Sequence, residues 1–362
     1  MTPDAYTADA IADLLETLVN MPSVTGGEGP IADWIMARLR GRPGGELLRS
    51  GNAIAWRPVP AVPARPLIVL AGHVDTVPAQ GNERARREGG NLFGLGATDM
   101  KGGDAVMLTL LESLRPQDLR FDVAYVFYDA EEGPAVNNGL RRLLQEMPWL
   151  RAASLAILLE PTDLKLELGC NGMMNAEVTV RGKSAHSARP WTGVNAVERA
   201  APWLAQVTKF EPRPMVFAGA EFVETLQVTT LRAGRARNIV PDELVANLNY
   251  RFTPDRTLAE AERALRAMVP PDFECVIVDA AGPGKACGDH PEVQAFVRRF
   301  GAMVAGKQGW TDVAQFTEAG VPAFNFGPGI PDLCHQAAEY CPIANLETAT
   351  RWLAQFLTRE GA

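Results

Sequence analysis

The chain of 362 residues holds only four histidines, His73, His186, His290 and His335, so any chemistry that needs imidazole draws on these. His73 stands two residues before Asp75, close enough for that carboxylate to fix the tautomer of the ring. His335 lies in the polar stretch DLCHQ. Several acids occupy equally distinctive places: Asp99 in GATDMKGG (96–103), Asp129, Glu131 and Glu132 in DAEEG (129–133), and Glu160 in LLEPTD (158–163). Brought together without a basic cluster, these carboxylates would repel one another unless cations bound among them. Histidine with carboxylate and no thiolate suits zinc or another divalent transition metal. A pair of ions needs a shared ligand, and Asp99 is the candidate, because one carboxylate can give an oxygen to each ion. Glu160 ends an apolar run, where an unpaired carboxylate is costly.

Each residue also has a plainer reading. Asp99 alone reads better as a helix N-cap. Glu131 and Glu132 resemble any solvated acidic pair, His73 could bond a neighbouring loop, and His335 could simply be exposed. His290 precedes Pro291 and is read as structural, and His186 in KSAHSARP says little by itself. What favours the joint reading is the placement of the elements. Apolar runs at 66–73, 121–128 and 153–161 alternate with helical spacing at 30–41, 101–115 and 138–146. That pattern predicts a parallel sheet covered on both faces. Ligands bind beyond the carboxyl ends of such strands. His73, Asp75, Asp129, Glu131, Glu132 and Glu160 all fall there, and His335 follows a further strand at 322–327.

Near residue 172 the pattern changes. Strands at 174–181, 224–232, 243–252 and 273–279, with helices at 194–208 and 257–268, give a ferredoxin-like β-α-β-β-α-β order. Helices at 291–304, 312–319 and 344–359 then resume the first pattern. The expectation is an α/β catalytic domain of mixed, mostly parallel sheet, 1–171 with 282–362, interrupted by an inserted α+β domain at 172–281. Residues 41–66 read as loops around one short strand and 81–90 as a surface loop. The acids of MTPDAYTADAIADLLETL predict a helix of the mature protein and not a secretory signal.

Composition narrows the partners. With 35 Lys and Arg against 43 Asp and Glu, the net charge of −8 disfavours nucleic acid and anionic membranes. No apolar run approaches the roughly 18 residues of a membrane span. Five cysteines without a C-x-x-C pair argue against a disulfide framework and fit a reducing cytoplasm.

The motifs AGHVDTVP (71–78), GATDMKGG (96–103), DAEEG (129–133), LLEPTD (158–163), RGKSAHSARP (181–190), GVNA (193–196), RNIVPDE (237–243) and FGPG with CHQAAEY (326–340) follow one another along nearly the whole chain. Together they resemble the di-zinc amidohydrolase family of aminoacylases, glutamate carboxypeptidases and N-acyl-amino-acid deacylases. YDAEE (128–132), AHSAR (185–189) and GWTDVA (309–314) are most similar to its branch that removes succinate from N-succinyl-LL-2,6-diaminopimelate in lysine and cell-wall precursor synthesis. Acetylornithine deacetylases, other deacylases and peptidases share the metal motifs. The resemblance implies two Zn2+, with Co2+ or Mn2+ as substitutes. His73, Asp99 and Glu160 would hold one ion, and His335, Asp99 and Glu132 the other. It makes Glu131 the general base toward a metal-bridging water and Asp75 the residue that orients His73. His186 would reach the partner subunit's active site, so a homodimer is expected, with the inserted domain serving dimerisation and closing as a lid. Asn238 and Arg251 match positions that contact the small acylated amino-acid substrate, and Arg189 is a second cation for its carboxylates. LGCNGMM (168–174) lacks an Arg-Arg pair that some members carry there. A non-catalytic metal-binding relative is disfavoured by the presence of Glu131 beside Glu132.

Overall fold

The computed structural model describes residues 7–60 and 64–359. The described chain begins with α1 (Ala8–Val19), α2 (Gly29–Leu39), β1 (Gly45–Ser50), β2 (Ala53–Pro58), β3 (Leu67–His73), β4 (Arg86–Glu88) and β5 (Asn91–Phe93). It continues through α3 (Gly102–Ser113), β6 (Asp122–Tyr128), α4 (Gly139–Glu146), β7 (Leu155–Leu158) and β8 (Leu166–Leu168). Next come β9 (Gly172–Arg181), α5 (Ala196–Val207), β10 (Arg213–Phe217), β11 (Ala220–Ala233), β12 (Glu243–Phe252), α6 (Leu258–Ala267) and β13 (Glu274–Ala281). The last elements are α7 (Pro291–Phe300), β14 (Val304–Gly306), α8 (Val313–Glu318), β15 (Ala323–Asn325), β16 (Tyr340–Pro342) and α9 (Ile343–Leu357). The first six residues of the expected N-terminal helix lie outside the described residues; from Thr7, whose hydroxyl accepts the Ala10 N–H, the helix is present.

The elements form two compact units, one from the described parts of Met1–Gly169, Lys285–Ala305 and Gln315–Ala362, the other from Cys170–Gly284 and Gly306–Ala314. The first carries a sheet ordered β1-β2-β6-β3-β7-β15-β8-β14. Its centre is parallel, β6 with β3, β3 with β7 and β7 with β15, while β1 with β2, β2 with β6 and β15 with β8 run antiparallel. Every residue of β6 is buried, as is all of β3 beyond Leu67, which explains the unbroken apolar runs. Helix α3 packs on β3 and β6, and α1, α3 and α9 pack on one another. Phe296 of α7 closes the core against Phe324, Phe326 and Phe356, at ring-centroid distances of 6.1, 5.0 and 5.2 Å.

The second unit is built on an antiparallel sheet ordered β10-β11-β12-β9-β13. Alternate residues of β9 and β12, among them Val178, Val180, Leu244, Leu248 and Tyr250, pack with Trp203 of α5 and Leu265 of α6 into one core. The other side of the same strands carries Asn175, Asn247 and Asn249, whose side-chain amides bond across the strands.

Several elements differ from expectation. Residues 45–58 form the β1–β2 hairpin, turning through Gly51 at φ 60°, where loops around a single strand were expected. The stretch 81–90 contributes β4, which pairs with β5 in a small sheet with β16. Strand β10 is added to the ferredoxin-like set through a tight turn at Ala218 and Gly219, φ 47° and 85°. Its Pro214 is tolerated because β10 is an edge strand. The expected helix 291–304 stops at Phe300, where Gly301 turns left-handed at φ 64° and caps it.

Candidate metal centre

The central strands deliver the site. β3 ends on His73, β6 is followed by Glu131 and Glu132, β7 by Glu160, and β15 by the turn that carries His335. Asp99 arrives from the segment that enters α3. Helix α3 begins with Lys101 as N-cap and no side-chain cap bond, so Asp99 is not a helix cap; its backbone is extended (φ −125°, ψ 97°) and its peptide to Met100 is cis. Gly103 lets the start of α3 approach β7: a Cβ there would stand 2.3 Å from the Leu159 carbonyl oxygen. That contact sets Asp99 beside the strand end bearing Glu160.

His73 is 1% exposed. Its Nδ1 donates to the Asp75 carbonyl at 3.1 Å and lies 3.5 Å from Asp75 Oδ1. Nε2 thereby faces Asp99 Oδ1 at 3.2 Å and Glu160 Oε1 at 4.0 Å. His335 Nε2 lies 2.8 Å from Glu132 Oε1 and 3.5 Å from Asp99 Oδ2. The two oxygens of Asp99 are thus divided between two donor triads, His73–Asp99–Glu160 and Asp99–Glu132–His335, each with its ligand atoms within 4.8 Å of one another. Glu131 lies in a third such group with His73 and Glu132.

Asp75 does more than orient His73. Its Oδ1 accepts the Glu131 N–H at 3.0 Å, and Oδ2 accepts the Glu132 N–H at 3.0 Å and the Thr25 hydroxyl at 2.8 Å. Burial works against the ionised form, yet the bonds from His73, Glu131 and Thr25 hold the Asp75 carboxyl below the ordinary range. For Asp99 burial is likewise outweighed, by His335 and His73, and its carboxyl stays ionised far below the usual range. Burial disfavours a charged His73, but Asp75 and Asp99 raise its pKa well above normal. Asp99 and Glu132 raise that of His335 to about 10.

These arrangements fit a pair of divalent cations. Imidazole nitrogens facing carboxylate oxygens require a proton or a cation between them, and the donor set is imidazole and carboxylate alone. Among the described residues, no lysine or arginine pairs with Asp75, Asp99 or Glu132. Asp129, the remaining acid of its motif, turns away and pairs with Arg142 at 2.6 Å. His290 caps α7, its Nδ1 accepting the Glu292 N–H.

The other candidates lie in the second unit. His186 is exposed and pairs through its backbone with Ile239, while the Ser187 N–H donates to the Asn238 carbonyl at 3.0 Å. The Arg189 N–H donates to the His186 carbonyl at 2.8 Å, so His186, Arg189 and Asn238 share one loop cluster. Arg251 stands apart on β12. Its Nε donates to the Asn249 amide oxygen at 3.1 Å; the Asp279 carboxylate acts on it through space without forming an ion pair among the described residues. An amide orients this guanidinium without neutralising it.

Two residues around the metal cluster escaped the sequence reading. Thr25 braces Asp75, and the buried Glu339 accepts the N–H groups of Thr98 and Asp99 at 2.9 and 3.1 Å. Burial pushes the Glu339 carboxyl up to about 7 against those N–H bonds. Glu339 lies in CHQAAEY, but neither spacing nor periodicity distinguishes it from a surface acid.

Known proteins bear on this geometry. Over 347 residues the chain is 38% identical to a putative succinyl-diaminopimelate desuccinylase of Mycobacterium tuberculosis, covering 95% of this chain and 97% of that one. Over 353 residues it is 35% identical to a succinyl-diaminopimelate desuccinylase of Corynebacterium glutamicum, covering 95% of each. Among solved structures, a tripeptidase of Staphylococcus aureus superposes with TM-score 0.78 at 20% identity over 97% of this chain and 98% of that one. An M20 family metallo-carboxypeptidase of Sulfolobus solfataricus gives 0.75 at 15% identity over 94% and 97%. The signature of peptidase family M20/M25/M40 matches residues 69–359, the span that holds every donor of the cluster, and the chain belongs to that family of metal-dependent hydrolases.

Proposed function

We propose that the protein hydrolyses the amide of N-succinyl-LL-2,6-diaminopimelate, releasing succinate and diaminopimelate for lysine and cell-wall precursor synthesis in the cytoplasm. The observation that carries the reaction class is Asp99, one carboxylate divided between two histidine-bearing triads with Glu131 beside them. The names of the relatives from Mycobacterium tuberculosis and Corynebacterium glutamicum support the succinyl substrate.

His73, Asp99 and Glu160 would hold one Zn2+, and His335, Asp99 and Glu132 the other. Ions bound there would polarise the amide carbonyl and lower the pKa of water from 15.7 toward about 7. Glu131 takes the proton of the attacking water and returns it to the leaving amine, one carboxylate serving as base and then acid. Glu132 cannot share that work while its lone pairs hold a ligand position. Asp75 holds Glu131 in place through the backbone N–H and keeps Nε2 of His73 turned to the site. His186, acting from the partner of a homodimer, donates to the developing oxyanion; removal of such a donor costs on the order of 100–1,000-fold in turnover. Arg251, oriented by Asn249 and in no ion pair among the described residues, receives a substrate carboxylate, with Arg189 and Asn238 as further contacts.

Purified protein supplied with Zn2+ is to be assayed on succinyl-diaminopimelate, N-acetylornithine and a dipeptide panel. Turnover is expected on the first; turnover on another and none on the first overturns the substrate reading. Glu131→Gln is expected to retain both ions and to lose about 100–10,000-fold in kcat. Full activity in that variant removes Glu131 as the base.

A further inference from the structure

The segment that carries Asp99 leaves two N–H groups without helical partners, that of Thr98 buried and that of Asp99 partly buried. Thr98 and Asp99 precede α3, and the extended conformation of Asp99 puts its N–H outside any ladder. Buried N–H groups must find acceptors. Both go to a single atom, Glu339 Oε1, at 2.9 and 3.1 Å. Glu339 is 2% exposed and comes four residues after His335. Its own backbone is fixed on both sides: its N–H donates to the Gln336 carbonyl and its carbonyl accepts the Gly94 N–H, each at 3.1 Å, and β16 pairs with β5 directly after it. A third tie runs the same way, from the Ile330 N–H to the Thr98 hydroxyl at 2.7 Å. Glu339 therefore fastens the segment bearing Asp99 to the segment bearing His335.

We propose that Glu339 is a positioning residue for Asp99: through the backbone N–H groups of Thr98 and Asp99 it fixes where the shared carboxylate stands relative to His335, and so whether a second divalent ion is held beside the first. It rests on the reading of Asp99 as a ligand common to two ions. The ion most dependent on it is the one assigned to His335, because two of its ligands, Asp99 and His335, sit on the two segments that Glu339 joins. The His73 ion keeps two ligands, His73 and Glu160, that come from strand ends independent of Glu339.

The test separates reach from charge. Glu339→Asp keeps the charge but is one methylene too short to span to both N–H groups. Glu339→Gln keeps the reach and an acceptor oxygen but loses the charge. Metal-free wild type and the variants Glu339→Asp, Glu339→Gln and Glu339→Ala are titrated with Zn2+ by calorimetry and with Co2+ by visible absorption. Circular dichroism and Tm of each metal-free protein are measured alongside. Changes in the supporting shell of a metal site cost about 10–100-fold in affinity, so Glu339→Asp and Glu339→Ala are expected to weaken the second ion by that factor, the first ion and Glu339→Gln changing by only about threefold. If Glu339→Ala does not fold, the Asp and Gln variants decide. Unchanged binding of both ions by Glu339→Asp, or a Gln variant weaker than the Asp variant, overturns the proposal. A wild type that takes up one ion only overturns the two-ion reading and this proposal with it, so the two failures are distinct.

Discussion

At the scale of single residues, the site is a contest between protons and cations for the same nitrogens. In the metal-free protein His73 and His335 face carboxylates, and both hold their protons above the ordinary imidazole pKa of 6.5, His335 to about 10. Raised pKa values of this kind add stability in full below pH 6.5, and that stability is lost as the pH climbs through the folded values, near 10 for His335. Ligation needs the neutral rings, so affinity for Zn2+ should rise over the same interval. Calorimetry at pH 7 in buffers of different ionisation enthalpy should show about two protons released for each pair of ions bound. Release of none would mean that the imidazoles are already neutral. That His73, Glu131, Glu132 and Glu160 come together was legible in the sequence because each ends or closely follows an apolar run. Asp99 was legible only in company, since taken alone it reads as a cap. Glu339 was not legible at all: its partners are backbone N–H groups some 240 positions earlier, and backbone leaves no mark in composition.

At the scale of elements, what matters is how closely α3 approaches the end of β7. Gly103 sits with its Cα against the Leu159 carbonyl, where an added Cβ would stand 2.3 Å from that oxygen. Gly103→Ala must push the start of α3 from the strand that carries Glu160. Overpacking of this kind costs about 1–3 kcal/mol, so a lowered Tm is expected together with weaker uptake of the ion shared by Asp99 and Glu160. Wild-type Tm and metal affinity in that variant would show the segment to be slack. The elements that sequence reading passed over were short or atypical in composition. The β1–β2 hairpin is hidden among Gly, Pro and Arg, and β10 carries a proline that only an edge position tolerates. Strands β3 and β6 stand out as unbroken apolar runs because they are buried on both faces, where residue type is least free to vary.

At the scale of the molecule, each unit has its own core, and all five assigned ligands belong to the first. A ligand bound only by the folded state stabilises the part that binds it. Scanning calorimetry with and without a chelator should therefore move the transition of the first unit down and leave that of the second in place. A single transition that shifts as a whole would mean that the two cores melt together. The βαββαβ order was readable because its central strands β9 and β12 alternate strictly in burial, while β11 and β13 alternate only over part of their length.

The twin bonds from Asp75 to the main chain of Glu131 and Glu132 have a consequence for engineering and for natural drift alike. Proton shuttle and ion holder are neighbours hung from the same two oxygens, so neither can be re-aimed while the other stays put. A loosened Thr25, fifty positions upstream of that carboxylate, would blur both duties at once. Loss of rate after a change at Asp75 is accordingly a compound quantity, which no single assay of turnover can divide into its parts.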